Sequence, residues 1–268
     1  MTNRNTSSMH LVAWAFLAIA VLACGATANA GTVFYSTHFD DSTGWTGSLN
    51  PTNGVGGTIE SSTPFVVNGT SMGSYMAATY YPTALTSVAD ASTNPDAWLG
   101  FLLRNDDGNP WLTGVNVTGG TTNQEVQYDG PWLGQVGGVA QQLKISIYQS
   151  DWSTQAPNSY SLTTGSAVAV LAHFYDVGAT GTYNTADVWV QSDLSSPLFP
   201  DLSPGTAVDY GFSLGAGATG AIRSLRLAGE YGVQSFDNLV LASTSLDAVT
   251  FLGGAASVPE IDPAGLAS

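Results

Sequence analysis

The chain has 268 residues, with Lys+Arg 5 against Asp+Glu 20, a formal net charge of −15 and only 9% charged residues. So acidic a chain offers no basic stripe to neutralise phosphates, which excludes nucleic acid as a partner. Charged helix formers are scarce and small polar and apolar residues abundant, a balance that favours strands. One all-β domain of roughly 200–250 residues accounts for this length.

The N-terminal residues 1–30 have the features of a secretion signal. Arg4 and His10 precede an apolar run, LVAWAFLAIAVLA, and small residues follow it up to Ala30. A basic start, an apolar stretch too short for a comfortable membrane span and an A-x-A cleavage site are typical of a signal peptide. We therefore expect contact with the export machinery, cleavage by signal peptidase and a mature chain that begins near Gly31.

The only cysteine, Cys24, lies inside this segment. Cleavage after Ala30 would leave a mature chain without a thiol, and therefore without a disulfide framework or a thiolate metal site. The alternative is that Cys24 is acylated and anchors the chain as a lipoprotein. The A-x-A site that follows favours cleavage and an exported protein of the cell surface or extracellular space.

Residues 31–250 predict an all-β, antiparallel β-sandwich or jelly roll. Short apolar segments are divided by Gly-, Asn-, Asp- and Thr-rich turns, and no stretch of the mature chain shows convincing helical periodicity. The segments 97–104 and 167–177 are apolar on both faces, which places them centrally. In residues 142–150 apolar and polar side chains alternate, as in a strand with one face in water.

The stretch 221–243 contains two further strand patterns. Leu225 and Leu227 alternate with polar residues, and Leu239 and Leu241 alternate around a second apolar segment. A short Gly-containing connection lies between the two patterns. We expect an antiparallel pair with a tight turn that closes the sandwich.

The residues 251–268 read as a linker and a sorting tag. Val258, Pro259 and Glu260 lie in the sequence SVPEIDPAGLAS. Behind a signal peptide and a β-domain, this motif resembles the PEP-CTERM sorting signal, and its VPEIDPAG form is similar to planctomycete examples. The resemblance implies recognition by an exosortase-like enzyme. In the family an apolar helix and a basic end follow the motif, so we expect that this sequence, which stops at Ser268, is truncated or is not sorted in that way.

The body of the chain resembles concanavalin-like or laminin-G-like β-sandwich domains. The segments that carry this resemblance are AWLGFLLRNDDG, VLAHFYDVGATG, DVWVQSDLSSP and LRLAGEYGVQSFDNLVLAS. They cover about half of the mature chain and mark strand order rather than an active site. The resemblance implies a sandwich fold and a binding or structural role.

No pattern in the sequence predicts catalysis. Residues 69–73, GTSMG, match G-x-S-x-G but lack the histidine and acid in the order that serine hydrolases require. Glu260 and Asp262 begin an E-x-D-x-x-E pattern that lacks its second Glu and belongs to the tag. His38 and His173 show no metal-ligand spacing. We predict that the protein is not an enzyme.

Three tryptophans are candidate ligand-binding residues. Trp111, Trp132 and Trp152 fall in Gly-, Asp- and Pro-rich connections. An indole in such a position either stacks on a sugar ring or packs its loop onto the sandwich. The sequence leaves both interpretations open.

Four residues are candidate ligands of a structural calcium ion. In related jelly-roll domains such an ion joins an N-terminal strand to the last strand through carboxylates and carbonyls. Asp40 and Asp41 follow the first predicted strand, and Asp237 and Asn238 lie in the closing strand. The resemblance therefore implies a calcium site made of these hard-oxygen ligands.

The function expected from the sequence is that of an exported, exosortase-sorted surface or matrix protein with a non-catalytic structural or adhesive sandwich. Polysaccharide is the expected external partner. The alternative is a carbohydrate-binding, lectin-like module in its own right, and a glycoside hydrolase would need a pair of Asp residues that the sequence does not indicate.

Overall fold

Two seven-stranded antiparallel sheets face each other in this structure, a computed structural model. It describes residues 31–39, 45–47, 65–68, 76–80, 87–106, 112–119, 131–136, 142–147, 156–195, 197–215, 218–230 and 233–253. All of them belong to one unit, Gly31–Glu260. The predicted signal peptide with Cys24, and the predicted sorting motif, lie outside the described residues.

The strands follow one another along the chain with a short helix near the end. In order they are β1 (Val33–Thr37), β2 (Trp45–Gly47), β3 (Phe65–Asn68), β4 (Met76–Tyr80), β5 (Ala89–Asp90), β6 (Asp96–Asn105), β7 (Leu112–Thr118), β8 (Pro131–Val136), β9 (Gln142–Ile147), β10 (Tyr160–Ser161), β11 (Ala167–Tyr175), β12 (Thr185–Gln191), β13 (Asp209–Ser213), β14 (Ala221–Ile222), β15 (Ser224–Glu230), β16 (Val233–Ala242) and helix α1 (Ser245–Phe251). A 3₁₀ turn, Pro204–Thr206, precedes β13.

The first sheet has the order β1-β16-β6-β11-β12-β13, and β3 also pairs with β16. The second sheet has the order β10-β9-β8-β7-β15-β4-β2, and β14 and β5 form a separate pair. This arrangement confirms the predicted all-β sandwich. Among the described residues no helix combines the length and the apolar content that a membrane crossing needs.

The main core lies between the two sheets. Strand alternation explains it, because every second residue of a strand points to the same face. From the first sheet Phe101 and Phe236 enter this core, and from the second sheet Val115, Leu227 and Ile145 do. All five are essentially inaccessible to water, and burial of each such side chain stabilises the fold by roughly 1.5–3 kcal/mol.

The expectation for the two segments that are apolar on both faces is confirmed. β6 lies between β16 and β11, and β11 lies between β6 and β12. Leu99 of β6 points into the main core, whereas its neighbour Trp98 belongs to a second apolar cluster on the opposite face of the sheet. A strand with apolar cover on both faces needs apolar residues at consecutive positions.

The predicted closing pair is wrong in one respect. Both strands exist, as β15 and β16, but β15 pairs with β7 and β4 in the second sheet, and β16 pairs with β1, β3 and β6 in the first. The chain therefore crosses from one layer to the other. Leu227 and Leu239 reach the same core from opposite sides, so their alternation is compatible with a hairpin and with a crossing.

Helix α1 was not anticipated, because seven residues are too few to establish a 3.6-residue period. Its N-cap is Thr244, whose side chain accepts a hydrogen bond from Asp247 N. Ala248 and Val249 are buried against the outer face of the first sheet. Gly100 permits this contact, because a Cβ there would lie 2.9 Å from the Leu252 Cδ1 atom.

Candidate functional site

On the outer face of the first sheet, which points away from the second sheet, a large apolar cluster lies beside a group of polar side chains. Cross-strand pairs divide this face into rows. One row contains Leu171 and Trp189, the next contains Trp98, His173 and Asp187. The row after that brings Asp96 and Tyr175 together. The face thus changes from apolar to polar within two rows.

The apolar rows are covered, and we call this region the covered half. Its cover consists of α1 and the segment that joins β12 to β13. Leu198 and Phe199 of that segment pack on Trp189, and the Trp189 Nε1 group lies 3.3 Å from the Thr206 Oγ1 atom, to which it donates. Buried apolar contacts and a satisfied indole N–H make this half a second core.

The remaining rows lie beyond this cover, and we call their residues the platform: Asp96, His173, Tyr175, Asp187 and Tyr210. Tyr210 is 61% exposed, and the Asp96 side chain is 48% exposed. His173 Nε2 and Asp96 Oδ1 lie 2.7 Å apart. An ionised carboxylate only accepts hydrogen bonds, so the imidazole Nε2–H is the donor.

Aromatic rings form a continuous stack between the two halves. The centroids of Trp98 and His173 are 4.0 Å apart with an interplanar angle of 5°, and those of His173 and Tyr175 are 4.7 Å apart. On its other side Trp98 stacks on Trp189, with centroids 5.8 Å apart. This stack anchors the His173 and Tyr175 rings to the buried cluster and limits their freedom to reorient.

The edge strand β13 brings Tyr210 to the platform. Gly211 has φ +67°, a conformation that L side chains rarely adopt. Its N–H donates to the Asp187 Oδ1 atom over 2.5 Å. This contact falls at the register shift between Ala186 and Val188. The strand therefore contains a β-bulge at this point, and Tyr210, the residue before Gly211, is exposed to water.

Two buried carboxyl groups at this edge of the sheet, Asp187 and Asp209, have raised pKa values. Burial raises the pKa of Asp187, although the Gly211 N–H and the charge of His173 oppose the shift. Burial and the charge of Asp187 raise the pKa of Asp209 to about 6, and the charge of Lys144 opposes them. Both carboxylate oxygens of Asp209 are buried and have no hydrogen-bond partner among the described residues. Strongly perturbed acids are frequent at functional sites.

The phenol of Tyr175 is also affected. Its Oη atom lies 3.5 Å from the Asp187 Oδ1 atom, to which it donates. Burial, together with the charges of Asp187 and Tyr210, raises the pKa of Tyr175 to about 12. The phenol is therefore neutral at physiological pH and is available as a hydrogen-bond donor and acceptor.

The tryptophans named from the sequence are placed elsewhere. Trp111 and Trp152 lie outside the described residues. Trp132 was expected in a connection, but it lies in β8 and is 1% exposed. The Arg226 guanidinium carbon lies 5.7 Å from its ring centroid, on the outer face of the second sheet. The expectation of a loop position is therefore wrong for Trp132. Its backbone pairs with β7 on one side and β9 on the other, so it lies within the sheet.

Two of the four residues named for calcium are described. Asp237 and Asn238 are buried at a bulge of β16, where Asn238 has φ +47°. The His38 Nδ1 atom, just beyond β1, lies 2.5 Å from the Asn238 Oδ1 atom, and Asn238 N donates to Asp237 Oδ1. The bulge therefore joins the first strand to the last. Asp40 and Asp41 lie outside the described residues, so the calcium site stays a prediction.

The two histidines do not form a common site. His38 stacks on Phe251, with centroids 4.3 Å apart, and His173 belongs to the platform. Within the described parts of the chain, no group of three or more His, Cys, Asp or Glu side chains is arranged to hold a metal ion.

Sequence reasoning missed the platform. His173 was considered only as a metal ligand, and Asp96, Tyr175, Asp187 and Tyr210 were not singled out. One signal was present, because polar residues interrupt otherwise apolar central strands at His173 and Asp187. A charged residue at a central-strand position is a cue that one face changes its environment there.

Comparisons with known proteins identify a fold and no family. No protein-family model matches the chain, and no curated protein does. Among solved structures, a carbohydrate esterase from the Shiga toxin-encoding bacteriophage phi24B is 9% identical, with a TM-score of 0.51 over 80% of this chain and 100% of that one. At this identity the likeness shows the shared β-sandwich fold alone.

Two further solved structures match with lower TM-scores. The globular domain of T. cruzi calreticulin is 9% identical with a TM-score of 0.48, over 82% of this chain and 92% of that one. Peanut lectin is 11% identical with a TM-score of 0.43, over 79% of this chain and 97% of that one.

Proposed function

We propose that this protein is an exported, non-catalytic β-sandwich that binds glycans through the platform. The observation that carries the proposal is that two solvent-exposed groups share this sheet: the ring of Tyr210 on the edge strand β13, and the half-exposed carboxylate of Asp96 three strands away on β6. Sugar rings stack their C–H faces on aromatic side chains, and their hydroxyl groups donate to carboxylates. The fixed stack behind the platform reduces the entropy lost when a ligand binds.

The cellular location in this proposal is inferred from the sequence. Residues 1–30 support export, and Val258, Pro259 and Glu260 support exosortase-type sorting to the cell surface or matrix. A glycan-binding surface suits that location, because extracellular polysaccharide is the abundant ligand there. Fractionation of cells that produce the full chain, with and without the 257–260 segment, tests the proposed location. A chain that stays in the cytoplasm would refute it.

Binding is tested with the full chain against a panel of soluble polysaccharides and oligosaccharides by affinity electrophoresis and calorimetry. The panel contains glucans, xylan, and acetylated and deacetylated chitin oligomers, with calcium and again with chelator. We expect binding to at least one member, and we expect Tyr210→Ala to weaken it about tenfold, the loss of about 1.4 kcal/mol of stacking.

Val177→Ala is the matched control, because Val177 is also exposed, at 55%, but lies outside the platform. Its affinity should equal that of the wild type. If the folded wild type binds no member of the panel, or if Tyr210→Ala binds as tightly as Val177→Ala does, the proposal is wrong.

A second candidate function is glycoside hydrolysis, and one observation favours it. Asp187 has a raised pKa, as a general acid requires, and Asp96 is a second carboxylate on the same platform. Release of reducing sugar by the wild type, and its loss in Asp187→Asn, would establish hydrolysis. Binding without any release would leave a binding module.

A further inference from the structure

We propose that the platform selects glycans with free amino groups, namely deacetylated hexosamine oligomers, over the same oligomers in acetylated form. This inference rests on the proposed glycan binding and adds the class of ligand. It follows from three properties of the platform: the arrangement of its carboxylates, the exposure of its rings and the absence of a Lys or Arg partner among the described residues around it.

The first property is that carboxylates flank His173 on both sides. Asp96 on β6 binds the imidazole Nε2–H, and Asp187 on β12 is the direct cross-strand partner of His173. Within the described part of the chain, the second carboxylate oxygen of Asp96 makes no hydrogen bond, and the side chain is 48% exposed. An ammonium group can therefore reach this oxygen and form a charge-assisted hydrogen bond.

The second property is the exposure of aromatic rings on the same sheet as these carboxylates. The half-buried Tyr175 is the direct cross-strand partner of Asp96, and Tyr210 on the edge strand β13 is the most exposed large apolar side chain of the described residues. A cation over an aromatic face gains about 0.5–1 kcal/mol at an exposed site and more where water is excluded. The carboxylate and the aromatic rings thus both favour a positively charged ligand.

The third property is that the basic side chains of the described residues are engaged or located elsewhere. Arg104 is ion-paired with Asp106 at the far end of β6. The other three are on or next to the second sheet: Lys144, Arg223 and Arg226. The negative potential of the platform is therefore not neutralised by a neighbouring Lys or Arg. In a chain with net charge −15, this repels uronates and sulfated sugars and attracts protonated amines.

A glucosamine hexamer and an N-acetylglucosamine hexamer provide the direct comparison, because acetylation removes the charge and keeps the sugar backbone. Affinities are measured with the full chain in mildly acidic buffer, where the amines are protonated. We expect the glucosamine hexamer to bind roughly tenfold more tightly. We also expect the difference to shrink as salt is added, because screening weakens exposed charge pairs.

Asp96→Asn tests the charge at nearly constant shape. We expect it to reduce the preference for the free amine to about twofold or less while binding of the acetylated hexamer is retained. Asp201→Asn is the matched control, because Asp201 is an exposed carboxylate in the segment over the covered half. It changes the net charge by the same amount, and it should preserve the full preference.

The outcomes separate this inference from the proposed function. If both hexamers bind equally, or if Asp96→Asn keeps the full preference, the inference is wrong and glycan binding stands. If neither hexamer nor any other glycan binds, both proposals fail. Polylysine serves as a further arm: competition by polylysine at equal amine concentration would show a general cation surface and would overturn the selection of amino sugars.

Discussion

The covered half and the platform lie on the same face of the same sheet, yet their surroundings differ. Both are built on aromatic side chains of the central strands, with Trp189 in one and Tyr175 in the other. The difference is the cover, since α1 and the segment before β13 supply Leu198 and Phe199 to one half only. Where cover is present, the aromatic rings are buried and stabilise the fold, and beyond it the Tyr210 ring is exposed to water.

The proposed binding site is distinguished from the covered half by exposure and not by residue type. Trp189 and Trp98 are larger rings than Tyr210, but both are buried. A ring that is already desolvated by its own chain gains nothing from a sugar. In the proposed function, an exposed ring such as Tyr210 is the one that still has water to release when a ligand binds.

The largest predicted effect concerns the covered half. Trp189→Ala removes an indole that is buried among Leu198, Phe199 and Trp98, and we expect a loss of about 3–5 kcal/mol of unfolding free energy. Equilibrium denaturation in urea measures it. A loss below about 1 kcal/mol would mean that the segment before β13 does not pack on the sheet as described.

The second prediction concerns the edge strand that carries Tyr210. Asp209→Asn should raise the unfolding free energy at pH 7–8 by on the order of 2 kcal/mol, because it removes a buried charge that has no hydrogen-bond partner within the described part of the chain. The folded pKa, about 6, lies above the unfolded value of 3.8. The cost of ionisation is therefore absent below pH 4, grows between the two values and is complete above pH 6.

Urea denaturation of both proteins across this pH range checks the sign. The gain from Asp209→Asn should vanish at acid pH. Asp176→Asn is the opposite case: burial opposes the shift, but hydrogen bonds from the Thr180 hydroxyl and from the Thr180 and Gly181 N–H groups outweigh it and lower the pKa of that carboxyl. Its effect should be a loss of stability that is present at neutral pH and disappears as the pH falls through the folded pKa. Equal pH profiles for the two variants would contradict the assignment.

The third prediction concerns the cover itself. Thr244→Ala removes the N-cap of α1, and we expect a loss of about 1 kcal/mol of unfolding free energy. Thr244→Ser keeps the hydroxyl and should lie close to the wild type. If the alanine and serine variants are equally stable in thermal melts, the cap does not hold the helix on the sheet.

The smallest predicted effect on stability is at the platform. Tyr210→Ala should change the unfolding free energy by less than about 0.5 kcal/mol, since the ring is mostly in water. The same variant should bind the glycan about tenfold more weakly than the wild type, as proposed above. A large loss of stability would place Tyr210 in a packed environment and would remove the distinction between the two halves.

Local pattern was sufficient to predict the class of fold, the central strands and the half-exposed β9, because alternation of side chains is a property of each strand by itself. It was insufficient for the layer to which β15 and β16 belong, since apolar residues that enter one core from either side look alike in sequence. The expected export and sorting also derive from sequence alone and stay predictions.

The platform was decided by tertiary structure. Asp96 and His173 are 77 positions apart, and they meet because β6 and β11 pair in one register. Tyr210 lies two strands from His173, on β13, where the bulge at Gly211 contacts Asp187. Register and sheet order depend on long-range pairing that no local period encodes, and a shift by one residue would turn these side chains to the other face. The sequence by itself therefore determined the sandwich, and the pairing of distant strands determined its candidate binding surface.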